Sequence, residues 1–94
     1  MQPDRTIEYY LQGALRRLDE GDFADELRVE TVYRQLAGDL ISRLTSSVQF
    51  HRGILTLRLV SAALRHEMTM RRESLRQRIN DHLGAEVVKN IYIR

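Results

Sequence analysis

Residues 48–59 read VQFHRGILTLRL, from Val48 to Leu59, and within them the apolar period is two. Val48 and Phe50, then Leu55, Leu57 and Leu59, alternate with Gln49, Thr56 and Arg58, the pattern of half-buried strands. Between the two runs stand His51, Arg52 and Gly53. Gly53 supplies the positive φ that a tight turn needs, so the stretch predicts a β-hairpin. One face of the hairpin goes to a core, and the other, with Gln49, Thr56 and Arg58, faces solvent or a partner.

Outside the hairpin the period is helical. Upstream, Val29, Val32, Tyr33, Leu36, Ala37, Leu40, Ile41 and Leu44 recur at three- and four-residue steps, which predicts a helix ending near Leu44. Glu30 early and Arg43 late suit its macrodipole. Earlier still, Ile7, Tyr10, Leu11, Ala14, Leu15 and Leu18 predict a helix over Thr6–Asp19, with Gly21 placed for a left-handed cap and Asp22–Glu26 as an acidic link. Downstream, Ser61 is placed to N-cap a long helix through Leu83, whose apolar line is Leu64, Met68, Leu75, Ile79 and Leu83 and which Gly84 closes. Val87, Val88, Ile91 and Ile93 predict a last short strand that joins the hairpin. The helix before that strand is long enough for a parallel crossover, right-handed by the general rule. The expected fold is therefore α+β in the order α-α-β-β-α-β, a small three-stranded sheet with helices on one face, similar to a type II KH-like domain.

At 94 residues and 11.0 kDa the chain has room for one core, so residues 1–94 are expected to form a single domain, with residues 1–5 disordered. The absence of cysteine excludes a disulfide framework, a thiolate metal site and a cysteine nucleophile together. Apolar runs are too short to span a bilayer and the N-terminus lacks a signal-peptide layout, so the expected compartment is the cytoplasm. The net charge of +2 is unevenly spread. The first 27 residues carry seven acids against Arg5, Arg16 and Arg17, whereas twelve of the fifteen basic residues lie beyond them against six acids. That remainder is basic by +6, and Lys89 is its one lysine. Arginine forks suit phosphate, though a coding bias toward arginine gives the same composition.

Little in the sequence supports catalysis, since no nucleophile elbow, phosphate-cradling glycine loop or histidine–carboxylate metal signature is present. His51, His66 and His82 are not at ligand spacing and read as solvated, and no cofactor is expected. Asp19, Glu20, Asp22, Asp25 and Glu26 lack the ligand order of a calcium loop and read as capping and solubility, or as a dock for a basic partner surface. On the long helix Arg65, Arg72 and Arg76 share one flank and Arg71 and Arg78 another. These are either a solvated helix face supported by pairs such as Glu67 with Arg71, or part of a phosphate-binding surface that Arg52 and Arg58 extend. Phe50 and Tyr92 are each read as core or as base platforms. No Gly-x-x-Gly clamp of a KH domain is present.

Tyr33, Gly38, Thr45, Gly53, Leu55 and Leu57 form an ordered set: an aromatic, a glycine five residues on, a threonine, then a glycine opening an alternating strand. Ser61-Ala62-Ala63-Leu64-Arg65-His66-Glu67-Met68, Leu75, Ile79-Asn80, Leu83-Gly84 and Val87-Val88 continue it to Ile91 and Ile93. With these the chain resembles, from Thr6 to its end, the DciA-like family of bacterial replicative-helicase loaders. Tyr33 stands where that family usually has tryptophan, and Ser47 where proline is common. Many relatives carry an extension, and this chain looks like the minimal domain. The resemblance implies a non-enzymatic protein that binds a DnaB-type replicative helicase and assists its loading, with weak contact to single- or double-stranded DNA. The phosphate-binding residues expected are Arg52, Arg58, Arg65, Arg72 and Arg76. Tyr33, Gly38, Thr45 and Gly53 read as fold-making: aromatic anchor, close packing, helix end and turn. The alternatives are an RNA-binding KH-like module and a structural self-association module forming a homodimer through sheet edges.

Overall fold

The hairpin closes through Arg52 and Gly53, both at positive φ (50° and 83°), between the paired residues His51 and Ile54. Two successive residues at positive φ turn the chain in the sense of the strands' own twist, which is why a two-residue loop suffices. In the computed structural model, which describes residues 22–94, the elements are α1 (Asp22–Arg43), β1 (Thr45–His51), β2 (Ile54–Leu59), α2 (Ala62–Met70), α3 (Arg72–Leu83) and β3 (Asn90–Ile93). The helix expected over Thr6–Asp19, its cap at Gly21 and the segment 1–5 lie outside the described residues.

The sheet order is β1-β2-β3, with β1 antiparallel and β3 parallel to β2. The fold is α+β with a small mixed sheet, as the change of period predicts. Leu55, Leu57, Leu59, Phe50 and Ile91 point from the sheet into a core that Val29 and Tyr33 of α1, Met68 of α2 and Ile79 of α3 complete. Phe50 is thus core. Three helices gather on this side of the sheet, α1 against β1 and α3, α2 against β2 and β3, α3 against α1 and β3.

Five expectations need correction. Asp22–Glu26 is not a link, because α1 already begins at Asp22; Glu26 instead reaches the exposed edge of β1, accepting from the Phe50 N–H at 3.3 Å. Within α1, Gly38 leaves helical geometry (φ 82°, ψ 176°), so the period is reset and Leu40, placed on the apolar stripe by counting, is 66% exposed. Gly38 is not there for close packing, since a Cβ at that position would meet nothing within 4 Å.

The long helix divides at Arg71 (φ −103°, ψ 16°), whose N–H is shared between the Glu67 and Met68 carbonyls at 3.2 and 3.1 Å. The bend lets α2 lie on the sheet while α3 turns to pack on α1. Ser61 caps α2 as expected, accepting from Leu64 N–H at 3.1 Å, and Gly84 ends α3 in the left-handed region (φ 77°). The closing strand begins only at Asn90, because Val87 and Val88 bond to a side chain and not to β2. Asn80, 4% exposed, accepts from both of their N–H groups (3.1 and 2.8 Å) and donates to the Val88 carbonyl (2.9 Å).

Candidate nucleic-acid interface

The ordered set from Tyr33 to Thr45 forms one joint between α1 and β1. Thr45 Oγ1 donates to the Ile41 carbonyl at 2.7 Å, so its single proton is used and the Tyr33 hydroxyl donates to Thr45 Oγ1 at 2.9 Å. Both residues are buried, and burial holds the Tyr33 phenol above the usual tyrosine range, against the opposing effects of Thr45 and Arg34. Arg34 straps the break at Gly38, with Nε on Glu30 at 3.1 Å before it and Nη1 on the Ser42 carbonyl and hydroxyl at 3.0 and 2.8 Å after it. Tyr33 is thus the anchor, Thr45 satisfies a carbonyl at the helix end, and Gly53 makes the turn.

The five arginines singled out from the sequence are not gathered on one surface. Arg52 is exposed at the hairpin tip, and Arg58 is exposed on the side of β2 away from the core. Arg72 is exposed at the start of α3, in the helical layer on the other side of the sheet. Arg65 is half-buried and donates from Nη1 to the Leu59 carbonyl at 2.8 Å, tying α2 to the end of β2. Arg76, with a side chain only 17% exposed, is held by Glu73, by Glu86 at 3.1 Å and by the Val88 carbonyl at 3.3 Å. Its bonds to Glu73 and then Glu86 raise its pKa, and the same contact lowers that of Glu73. Arg71 pairs with Glu67 at 3.1 Å between well-exposed side chains, a contact worth little in water. With Arg78 it rims a cleft of about 190 Å³ floored by Tyr33, Ala37, Ile41, Met68 and Leu75.

The outward face of the sheet is a grid set by the strand register. Gln49, Thr56 and Tyr92 share one row, His51, Ile54 and Asn90 a second, and Ser47 and Arg58 begin a third. Arg94 completes the third row, because its N–H donates to the Leu57 carbonyl and its carbonyl accepts from Leu59, each at 2.8 Å, which continues the β2–β3 ladder. Tyr92 is 48% exposed in this grid, while Phe50 faces the other way. The sequence reading left out Arg94, although its place two residues beyond Tyr92 puts both on one side of a strand.

Among the described residues no group of three histidines, aspartates or glutamates could hold a metal ion, and no helix is long and apolar enough to cross a membrane. His51, His66 and His82 are all exposed. No curated protein matches the chain. The model of the family described as "Dna[CI] antecedent, DciA" matches residues 7–93, nearly the whole chain, and spans the Tyr33–Thr45 joint, the hairpin, both later helices and β3. The chain belongs to the DciA family.

Proposed function

We propose that this protein is a non-enzymatic accessory of DNA replication, which binds the DnaB-type replicative helicase in the cytoplasm and assists its placement on DNA. The observation that carries the reading is the family match over residues 7–93. The described order α-β-β-α-α-β, with β3 parallel to β2, is in keeping with a KH-like arrangement. In this reading the domain also touches nucleic acid, weakly and without sequence preference. Of the arginines proposed for phosphate, Arg52, Arg58 and Arg72 have exposed side chains, whereas Arg65 and Arg76 also tie elements of the fold together.

The test is co-elution of the full chain with the replicative helicase of its own organism at physiological salt. A complex that persists there is the expected result. Phosphate contacts fade steeply as salt rises and a largely apolar protein interface does not, so the salt dependence separates helicase binding from binding through a shared nucleic acid. Absence of a complex at physiological salt, with salt-sensitive nucleic-acid binding retained, would replace the proposal with a nucleic-acid-binding module.

A further inference from the structure

Among the described residues, no helix covers the outward face of the sheet and no acidic side chain lies in its rows. Its rows are His51, Ile54 and Asn90; Gln49, Thr56 and Tyr92; Ser47, Arg58 and Arg94, with no acid in any of them. Arg58 and Arg94 stand side by side on neighbouring strands, and neither has an acidic partner among the described residues. Like charges on adjacent strands repel, and an anion bound between them relieves that repulsion. Arg34 and Arg76, by contrast, each hold a carboxylate. At the opposite end of the face, Arg52 at the turn and Lys89 just before β3 are exposed. From Ile54, next to the turn, to Arg58 the strand rises roughly 13 Å, with the exposed ring of Tyr92 on the row between.

We infer that this sheet face binds single-stranded DNA, with a base stacked on Tyr92 and the flanking phosphates held by Arg58 and Arg94. The inference rests on the replication reading for the choice of DNA and on the face for the chemistry. Duplex DNA is unsuited to it, because a base paired inside a stack offers no free face to Tyr92. A flat, weakly polar grid with an aromatic and basic ends gives sequence-tolerant binding, since every base has a face to stack and every nucleotide a phosphate.

The experiment is fluorescence anisotropy of labelled oligothymidylate with the full chain at low salt, across Tyr92→Ala, Tyr92→Phe, Arg58→Gln and Arg94→Gln, with helicase co-elution measured in parallel. Tyr92→Ala is expected to weaken binding about tenfold and Tyr92→Phe hardly at all. Each arginine variant is expected to flatten the dependence of log affinity on log salt by about 0.7. All three positions are exposed, and circular dichroism checks that each variant is folded. Oligothymidylate binding that is unchanged in Tyr92→Ala, or absent in the parent chain, overturns the inference. So does an oligouridylate bound tenfold more tightly than oligothymidylate, which would make RNA the ligand. If helicase co-elution persists in any of these cases, the inference falls and the replication reading stands; if it is lost as well, both fall.

Discussion

Gly38 shows what a single residue contributes to this fold. Its backbone (φ 82°, ψ 176°) lies in a region essentially reserved for glycine, yet a Cβ there would touch nothing within 4 Å. Space and conformation therefore give opposite expectations for Gly38→Ala. Conformation decides: the variant is expected to lose about 1–3 kcal/mol in urea unfolding, and an unchanged midpoint would contradict the assignment. The residues of this joint were legible as a spaced set, but their roles were only partly so. Tyr33 as anchor and Gly53 as turn follow from residue type and position. The break at Gly38 does not, because Leu36, Ala37, Leu40 and Ile41 keep a helical count across it. Only the backbone angle shows that Leu40 has left the buried stripe.

Among the elements, the passage from α3 to β3 depends most on side chains. Asn80 satisfies three backbone groups of Val87 and Val88 from a buried position, holding the chain until β3 meets β2 at Asn90. Asn80→Ala strands buried donors and an acceptor and is expected to cost roughly 2–3 kcal/mol in the same unfolding measurement; a loss no larger than that of an exposed α3 position such as Gln77→Ala would contradict this role. Arg76 clamps the same passage from the surface. Because its contact lowers the pKa of Glu73, the stabilisation is fully present above the ordinary carboxylate value of 4.5 and is lost as pH falls through the lowered folded value. The stability difference between the parent and Arg76→Ala is therefore expected to shrink in that acid range, as read by thermal unfolding against pH; a difference that grew on acidification would have the wrong sign. Of these contacts only Glu73 with Arg76, three residues apart on one helix, follows a pairing rule that the sequence shows. Glu86 lies ten residues from Arg76, beyond any helical pairing rule, and Val87-Val88 has the apolar look of a strand start. The bend at Arg71 was hidden for a related reason, since Met68 and Leu75 stay two helical turns apart on one stripe.

For the whole molecule, the described part forms two layers, with helices on one side of a small sheet and an acid-free grid on the other. The layer arrangement was legible because each change of period marks a change of element. Which arginines end up free was not, because ion pairing depends on tertiary contacts that periodicity does not carry. The sheet's outer strands are also guarded. The Phe50 N–H on β1 is taken by Glu26 and the Ile91 N–H on β3 by the Asn90 side chain at 2.9 Å, which leaves fewer groups for edge pairing with a second copy. The proposed assistance of the helicase onto DNA is tested by unwinding of a forked DNA substrate by the replicative helicase of the same organism, with and without this protein. Unwinding is expected to start sooner when the protein is present, with the gain reduced in Tyr92→Ala. An onset that is unchanged or delayed by the protein, although the two co-elute, would contradict it.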